Sequence, residues 1–355
     1  MEKEYSLTNI YLNLTERCNL RCRHCWISPY PDDREYKDEE ITIDEIKGAV
    51  KDAMSLGLRR VKFTGGEPFL RREIIDIIKI LKDFKILIDI ETNGTLIDKA
   101  IAKRLKELKI SFISVSIDGA KDETHDRLRG IKGSFKRAIE GIEALIESGL
   151  SPQIIFSLYK GNISELEDTI YLVKHIKASS FKINPILPSG RGKDMVKQGE
   201  TLDSYELISL TEKIETIWKD KYSIPIIFDI PIAFISMEKI KKGDYHICNI
   251  HNILGILADG NISICGIGKE EKDLVMGSIR KDNIKDIWMK SKLLISIRDN
   301  IPKNLKGICK RCILKKLCLG CCVANNYTLN KDLFSPYYIC KDAYENGLFP
   351  KSRLI

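Results

Sequence analysis

From Ile10 to Pro185 the chain repeats one pattern six times: a short β-branched run followed by a stretch with apolar residues at helical spacing. The runs are Ile10–Leu14, Arg60–Phe63, Lys85–Glu91, Phe112–Ile117, Gln153–Leu158 and Ser180–Pro185. Helices are predicted over Ile43–Leu56, Arg72–Phe84, Asp98–Leu108, Ser134–Ser148 and Ser164–Ile176, with another, Ser204–Trp218, after the sixth run. Thr42 or Asp44 and Ser164 suit helix starts; Gly57 and Gly149 suit helix ends. Strands that alternate with helices run parallel, joined by right-handed crossovers. The pattern alone fits either a doubly wound open sheet or a closed barrel.

The 355 residues allow one full core and a smaller second domain. The texture changes near residue 240, where the alternation stops. Eight of the eleven cysteines lie beyond it. Residues 1–240 are therefore expected to form the α/β unit, and 241–355 a small α+β unit. Within the second unit Ile253–Ala258 and Asn261–Cys265, joined by Asp259-Gly260, read as a β-hairpin. An odd number of clustered cysteines points to metal rather than disulfides. Met1–Thr8 is short and polar, and no apolar run reaches membrane-spanning length, which together with the cysteines places the chain in the cytoplasm. The net charge of +8 comes from 58 basic and 50 acidic residues spread together along the chain. No nucleic-acid recognition motif accompanies it.

Three cysteines, Cys18-x3-Cys22-x2-Cys25, follow the first strand. Three thiolates hold three irons of a four-iron cluster and leave the fourth open to a ligand that is not protein. A zinc site is the plainer alternative. With His24 and Trp26 flanking Cys25, the spacing resembles the signature of the radical S-adenosylmethionine (SAM) enzymes, and other motifs follow suit. Gly65-Gly66-Glu67-Pro68 after the second strand is similar to that family's GGEP turn. Asn93, closing the third strand, and Ser116 and Asp118, closing the fourth, resemble positions that line the SAM pocket; Asn93 and Asp118 read equally well as turn ties. His125-Asp126-x2-Arg129-Gly130 resembles an arginine loop, with Arg129 expected on a carboxylate of SAM or substrate, or in a surface ion pair. Asn184-Pro185 and Gly190-Arg191-Gly192 end the sixth strand, where the family contacts adenine or substrate. The resemblance implies a partial (β/α)6 TIM-like barrel, with SAM chelated by the open iron and cleaved to a 5′-deoxyadenosyl radical. It also implies an electron donor such as flavodoxin or ferredoxin.

The later cysteines, Cys248, Cys265, Cys309-x2-Cys312-x5-Cys318-x3-Cys322 and Cys340, resemble the seven-cysteine pattern of the SPASM domain, which carries two auxiliary iron–sulfur clusters. The resemblance implies that Cys309, Cys312, Cys318 and Cys340 close one cluster and that Cys248, Cys265 and Cys322 give three ligands to the other. Zinc ribbons are the alternative here. Cys321 stands where related tails have glycine; it is read as a fourth ligand, a hydrogen-atom donor or an inert thiol. Gly266 follows Cys265 where sulfatase-maturing relatives carry a catalytic aspartate, which argues against that reaction. The expected function is a peptide maturase that abstracts a substrate hydrogen and forms a thioether or carbon–carbon cross-link in a ribosomally made peptide. About nine residues precede the first strand, so leader recognition is assigned to the barrel, the tail or a separate small protein. The alternatives are an enzyme acting on a small molecule such as a tetrapyrrole side chain, a peptide epimerase using Cys321, and an iron–sulfur scaffold or electron carrier.

Overall fold

The computed structural model describes residues 5–31, 40–218 and 221–355; Met1–Glu4, part of the polar leading segment, lie outside them. The six expected strands form as β1 (Asn9–Thr15), β2 (Arg60–Gly65), β3 (Leu87–Thr92), β4 (Phe112–Ser116), β5 (Gln153–Leu158) and β6 (Ser180–Pro185). They pair in parallel in chain order, each crossover carrying helix. The helices are α1 (Ile43–Met54), α2 (Ile74–Asp83), α3 (Lys99–Glu107), α4 (Asp122–Arg129), α5 (Ser134–Glu147) and α6 (Leu166–His175).

Local chemistry sets the ends. Thr42 closes a capping box on α1: its hydroxyl accepts from the Glu45 N–H at 3.2 Å, and Glu45 accepts from the Thr42 N–H at 2.6 Å. The outward strand residues are the core. Val61, Phe63, Ile88, Ile90, Val115, Phe156, Phe181 and Ile183 are fully buried, packed in one cluster with the helices. Each is worth about 1.5–3 kcal/mol of burial.

Three features depart from expectation. The segment read as an arginine loop is helix α4, ended by Gly130 in the left-handed conformation (φ +73°). A seventh parallel strand, β7 (Ile226–Phe228), extends the sheet beyond β6. Finally, the expected hairpin forms as β8 (Ile253–Ile256) and β9 (Asn261–Ser263), but β8 pairs in parallel with β1. A further strand, β10 (Val275–Ser278), pairs with β9. Among the described residues one ten-stranded sheet therefore runs β10-β9-β8-β1-β2-β3-β4-β5-β6-β7. The cysteine-rich tail grows from the barrel's own sheet edge, because β1 leaves a row of unpaired backbone groups there. Its satellite core joins Ile308, Leu314 and Phe349 to Ile232, Ala233 and Ile240.

Candidate active site

The loop after β1 carries Cys18, Cys22 and Cys25, the first two buried and the third half-buried. Backbone bonds from three directions hold it. The Gly66 N–H donates to the Thr15 carbonyl and the Glu67 N–H to the Arg17 carbonyl, each at 2.8 Å; the Arg21 and Arg23 N–H groups donate to Arg129 and Leu128 at 3.0 and 2.9 Å; the Arg191 N–H donates to Cys25 at 2.8 Å. Glycine marks each approach. A Cβ at Gly66 would lie 1.9 Å from the Arg17 carbonyl oxygen, one at Gly130 2.5 Å from that of Arg21, and one at Gly190 2.5 Å from that of Cys25. Three motifs scattered along the sequence thus close on one loop because their backbones touch it, which a side chain would prevent.

Charges converge there too. Arg129, buried, places Nη1 3.6 Å from Cys22 Sγ and donates Nε–H to Asp118 Oδ2 at 2.5 Å. The surface ion pair is therefore excluded. Burial lifts the Asp118 carboxyl, but Arg129 beside it brings the net shift below the usual range. Asp118 also accepts the Ser157 N–H at 2.7 Å, tying β4 to β5. Burial pushes the Cys18 and Cys22 thiols up, with Arg129 opposing it at Cys22. Thiols so placed ionise when a bound metal supplies the missing positive charge, so the set fits a soft metal centre. His24 is driven down to about 3, first by burial and then by Arg129; it is a neutral ring bonded to Ser157 Oγ at 3.1 Å.

Other sequence-predicted residues take specific posts. The Glu67 carboxylate turns inward, accepting from Thr92 Oγ1 (2.7 Å) and from the Asn93 (2.8 Å) and Phe69 (3.2 Å) N–H groups. It is a strut between β2 and β3 rather than a free carboxylate facing a ligand; buried Pro68 follows it in a single 3-10 turn. Gly65, at φ +108°, sets the turn. Asn93 donates to Asn19 Oδ1 at 2.9 Å and reaches Cys18 Sγ at 4.0 Å, so it both ties a turn and faces the cysteine loop. Ser116 is half-buried at the end of β4. Sequence reasoning missed Asn13 on β1, whose two amide atoms are buried without a partner; Arg191, in the segment singled out after the sixth strand, likewise has Nε and Nη2 buried without a partner. The polar alternation inside strands expected to be buried on both faces was the available signal.

The tail cysteines fall into two groups. Burial, then Cys322 and Cys265, push the Cys248 thiol well up; Cys265 rises to about 12 through burial and then Cys322. Cys309, Cys312, Cys318 and Cys340 line one recess with Ile308, Leu314 and Phe349. Burial and then these neighbours raise Cys340. Cys318 is shifted the other way, chiefly by the Cys321 thiol that donates to it, with N–H groups of Cys321 and Gly320 also pointing at its sulfur. Cys321 sits at φ +61°; its thiol bonds to Cys318 of the four-cysteine group, while Cys322 of the other three lies close beside it. Among the described residues no three His, Cys, Asp or Glu side chains converge as ligands of a single metal ion.

The profile of the radical SAM superfamily matches residues 12–173, and that of SPASM, an iron–sulfur cluster-binding domain, matches residues 243–313. An AdoMet-dependent heme synthase of Methanosarcina barkeri is 30% identical over 322 residues, 87% of this chain and 89% of that protein. The antilisterial bacteriocin subtilosin biosynthesis protein AlbA of Bacillus subtilis is 31% identical over 218 residues, 60% of this chain and 47% of that one. Among solved structures, Streptococcus suis SuiB bound to precursor peptide SuiA superposes with a TM-score of 0.74 at 19% identity, covering 95% of this chain and 76% of that one. A parallel barrel with a cysteine loop at its mouth defines the class: the chain belongs to the radical SAM enzymes. Within that class it carries the SPASM tail. Its cofactors are SAM, a SAM-binding 4Fe–4S cluster and the auxiliary iron–sulfur clusters of the tail. Bound to SAM and reduced by one electron, the SAM-binding cluster would supply a 5′-deoxyadenosyl radical; the protein's residues position, shield and orient.

Proposed function

We propose that this enzyme modifies a ribosomally made peptide, forming a thioether or carbon–carbon cross-link. Cys18, Cys22 and Cys25 hold the SAM-binding cluster, with the Gly65–Pro68 turn, Asn93, Ser116, Asp118 and Arg129 shaping the pocket around SAM. Cys309, Cys312, Cys318 and Cys340 hold one auxiliary cluster; Cys248, Cys265 and Cys322 hold the other. The division into a core of residues 1–240 and a tail of 241–355 goes with this reading, the tail's small core also drawing on Ile232 and Ala233. The carrying observation is the three-cysteine group. Cys321, the one spare thiol, gives its hydrogen bond to Cys318 although Cys322 lies beside it, and in this reading a substrate cysteine takes the fourth position of the three-cysteine group. The same placement argues against Cys321 as the hydrogen donor of an epimerase. An apolar cavity of about 150 Å³ between the ends of β5 and β6 and the tail, lined by Leu158, Pro185, Ile186, Pro188, Leu329 and Tyr338, offers a route for a chain. AlbA, named for bacteriocin biosynthesis, and the peptide-bound SuiB support the same class of substrate. A cytoplasmic site with a flavodoxin- or ferredoxin-type donor fits this chemistry, and among the described residues no helix is long and apolar enough to cross a membrane.

A second reading is favoured by the heme synthase relative, which aligns over most of both chains: reaction at a tetrapyrrole side chain. One experiment separates the two. Anaerobically reconstituted enzyme is given SAM, reductant and either a peptide encoded beside its gene or iron-coproporphyrin III. Loss of two hydrogen atoms from the peptide, with 5′-deoxyadenosine formed, supports the first; decarboxylated tetrapyrrole establishes the second. Both products vanish in the C18A/C22A/C25A variant if the cysteine loop is the radical centre.

A further inference from the structure

From Asn300 to Lys331 the chain has no acidic residue but seven basic ones, a local departure in a protein whose 58 basic and 50 acidic residues are otherwise interspersed. Cys309, Cys312 and Cys318, three of the four cysteines that line one recess, fall inside this stretch.

Two features set it apart from an ordinary solvated run of lysines. First, its charges are not neutralised. Lys306 pairs with Asp332 at 2.7 Å, but among the described residues Lys303, Lys310, Arg311, Lys315 and Lys316 meet no carboxylate. Lys315 donates to the Lys310 carbonyl at 2.9 Å and Arg311 to the Tyr344 hydroxyl at 2.7 Å, bonds that leave the positive charge whole. The helix Tyr338–Glu345, which packs against Gly307–Arg311, brings Asp342 and Glu345 to the rim, with Lys341 beside them. Second, apolar side chains stand out among the charges. Ile313 and Leu317, between Cys312 and Cys318, are 47% and 41% exposed. Ile355, whose N–H donates to the Arg311 carbonyl at 3.0 Å, is 76% exposed. One exposed leucine means little; several ringed by like charge make a docking face, with contact at the centre and orientation from the rim.

The position of the face selects its occupant. The loop that bears Ile313 and Leu317 also bears Cys312 and the half-buried Cys318, and Lys315 lines the recess itself. A partner seated there is one loop away from a redox group. Single-stranded nucleic acid would call for aromatic residues among the basic ones, and Asn300–Asn326 holds none. A membrane surface would call for an amphipathic helix, and the helices here, Gly307–Arg311 and Lys315–Cys318, have five and four residues. Transient redox encounters use small faces of this make-up.

We propose that the face around Ile313 and Leu317 docks a small acidic one-electron carrier protein, through which the electron released in the reaction leaves the four-cysteine cluster. Once a substrate hydrogen atom has gone to the 5′-deoxyadenosyl radical, forming the cross-link frees one proton and one electron. That electron passes from the auxiliary cluster to the oxidised carrier: the cluster is reoxidised, the carrier is reduced, and nothing else is consumed. The inference goes beyond the choice between peptide and tetrapyrrole. It rests on the assignment of Cys309, Cys312, Cys318 and Cys340 to one cluster.

The probe is a small acidic b-type cytochrome, whose visible band reports its reduction. Its affinity for immobilised, reconstituted enzyme is measured at low and at physiological salt. Its reduction is followed after mixing with pre-reduced C18A/C22A/C25A protein, in which only the auxiliary clusters carry electrons. K310E/K316E is expected to weaken binding and slow reduction about tenfold or more, and I313S/L317S about threefold or more with the salt dependence kept. K47E/K103E, the same charge change on exposed positions of α1 and α3, leaves both within about twofold of the parent. Iron content and melting temperature certify the folding of each variant. Three results overturn the assignment: equal losses in K47E/K103E, undiminished binding and reduction in K310E/K316E, or tighter binding of a short DNA duplex or phosphatidylglycerol vesicles through the same two lysines. Iron counting separates the two levels. If C309A/C340A keeps the parent's iron, the cluster assignment falls and the exit with it. If it loses one cluster's iron while K310E/K316E behaves as the parent does, only the docking face falls.

Discussion

Gly66 bears the tightest contact in the site, with its Cα hydrogen turned toward the Arg17 carbonyl. Replacing it with alanine forces the turn and the cysteine loop apart, and SAM binding should weaken about tenfold or more, read by equilibrium dialysis of labelled SAM. Gly48 is the contrast. It lies inside α1, and a Cβ there would meet nothing within 4 Å, so G48A should stabilise the protein by up to about 1 kcal/mol in urea denaturation. His125 predicts acid sensitivity. Its Nδ1 accepts the Asp118 N–H at 3.1 Å, and burial, against the pull of Asp118, lowers its pKa to about 4. The unfolded chain takes that proton near pH ~6.5, the folded chain only near its lowered value. Between the two the unfolded state binds more protons, so stability is fully present above the unfolded pKa and falls as pH drops through this window, by at most about 3 kcal/mol. H125Q should flatten the dependence of the urea midpoint on pH across that range. Arg129 shows why residue roles were only half legible. Its place in a motif was visible, but its burial against Asp118 and Cys22 depends on α4 folding back over the cysteine loop.

At the scale of elements, the outward face of each barrel strand and the start of α1 at Thr42 were readable because both are local, whereas Ser164, expected to start a helix, lies inside the 3-10 turn Ile163–Glu165 and α6 begins at Leu166 without a side-chain cap. Thr42, Asp98 and Asp203 all bond the N–H three residues on, as a residue of that type before an apolar helical run does. Thr42→Ala removes the reciprocal box and should cost about 1 kcal/mol, measured by thermal unfolding of the reconstituted protein. The misread elements have an equally local cause. Asp122–Arg129 is strongly polar, and of its buried residues Thr124, His125, Leu128 and Arg129 only Leu128 is apolar, so its helical pattern is faint. Strand β7 is three residues long and half-buried throughout, too short for a period of two to register. A helix forms over Ser204–Lys213 as expected, but Ile214–Trp218 continues it as a π-helical turn; hydrophobic spacing alone does not distinguish the two.

Across the whole molecule, the barrel and the tail are one construction through the β1–β8 pairing. The tail's four-cysteine recess joins segments 309–318 and 340 with only a small apolar cluster beneath. Iron removal by an anaerobic chelator should therefore expose residues 305–345 to hydrogen exchange first, while β1–β6, with their continuous core, stay protected; uniform exposure of both would show that the clusters hold the barrel as well. By itself the sequence determined the alternation that makes a parallel sheet, the two sets of cysteines and the glycines at which backbones must touch. These are properties of a residue type, its spacing and its immediate neighbours. Only the tertiary structure decided that the Glu67 carboxylate turns inward, that Cys321 bonds to Cys318, and that Lys62 pairs with Glu91 and Lys182 with Asp229. Those outcomes depend on which strands lie side by side and which way each pleat points. Laying the strands side by side in one sheet brings residues more than a hundred positions apart into a single electrostatic environment.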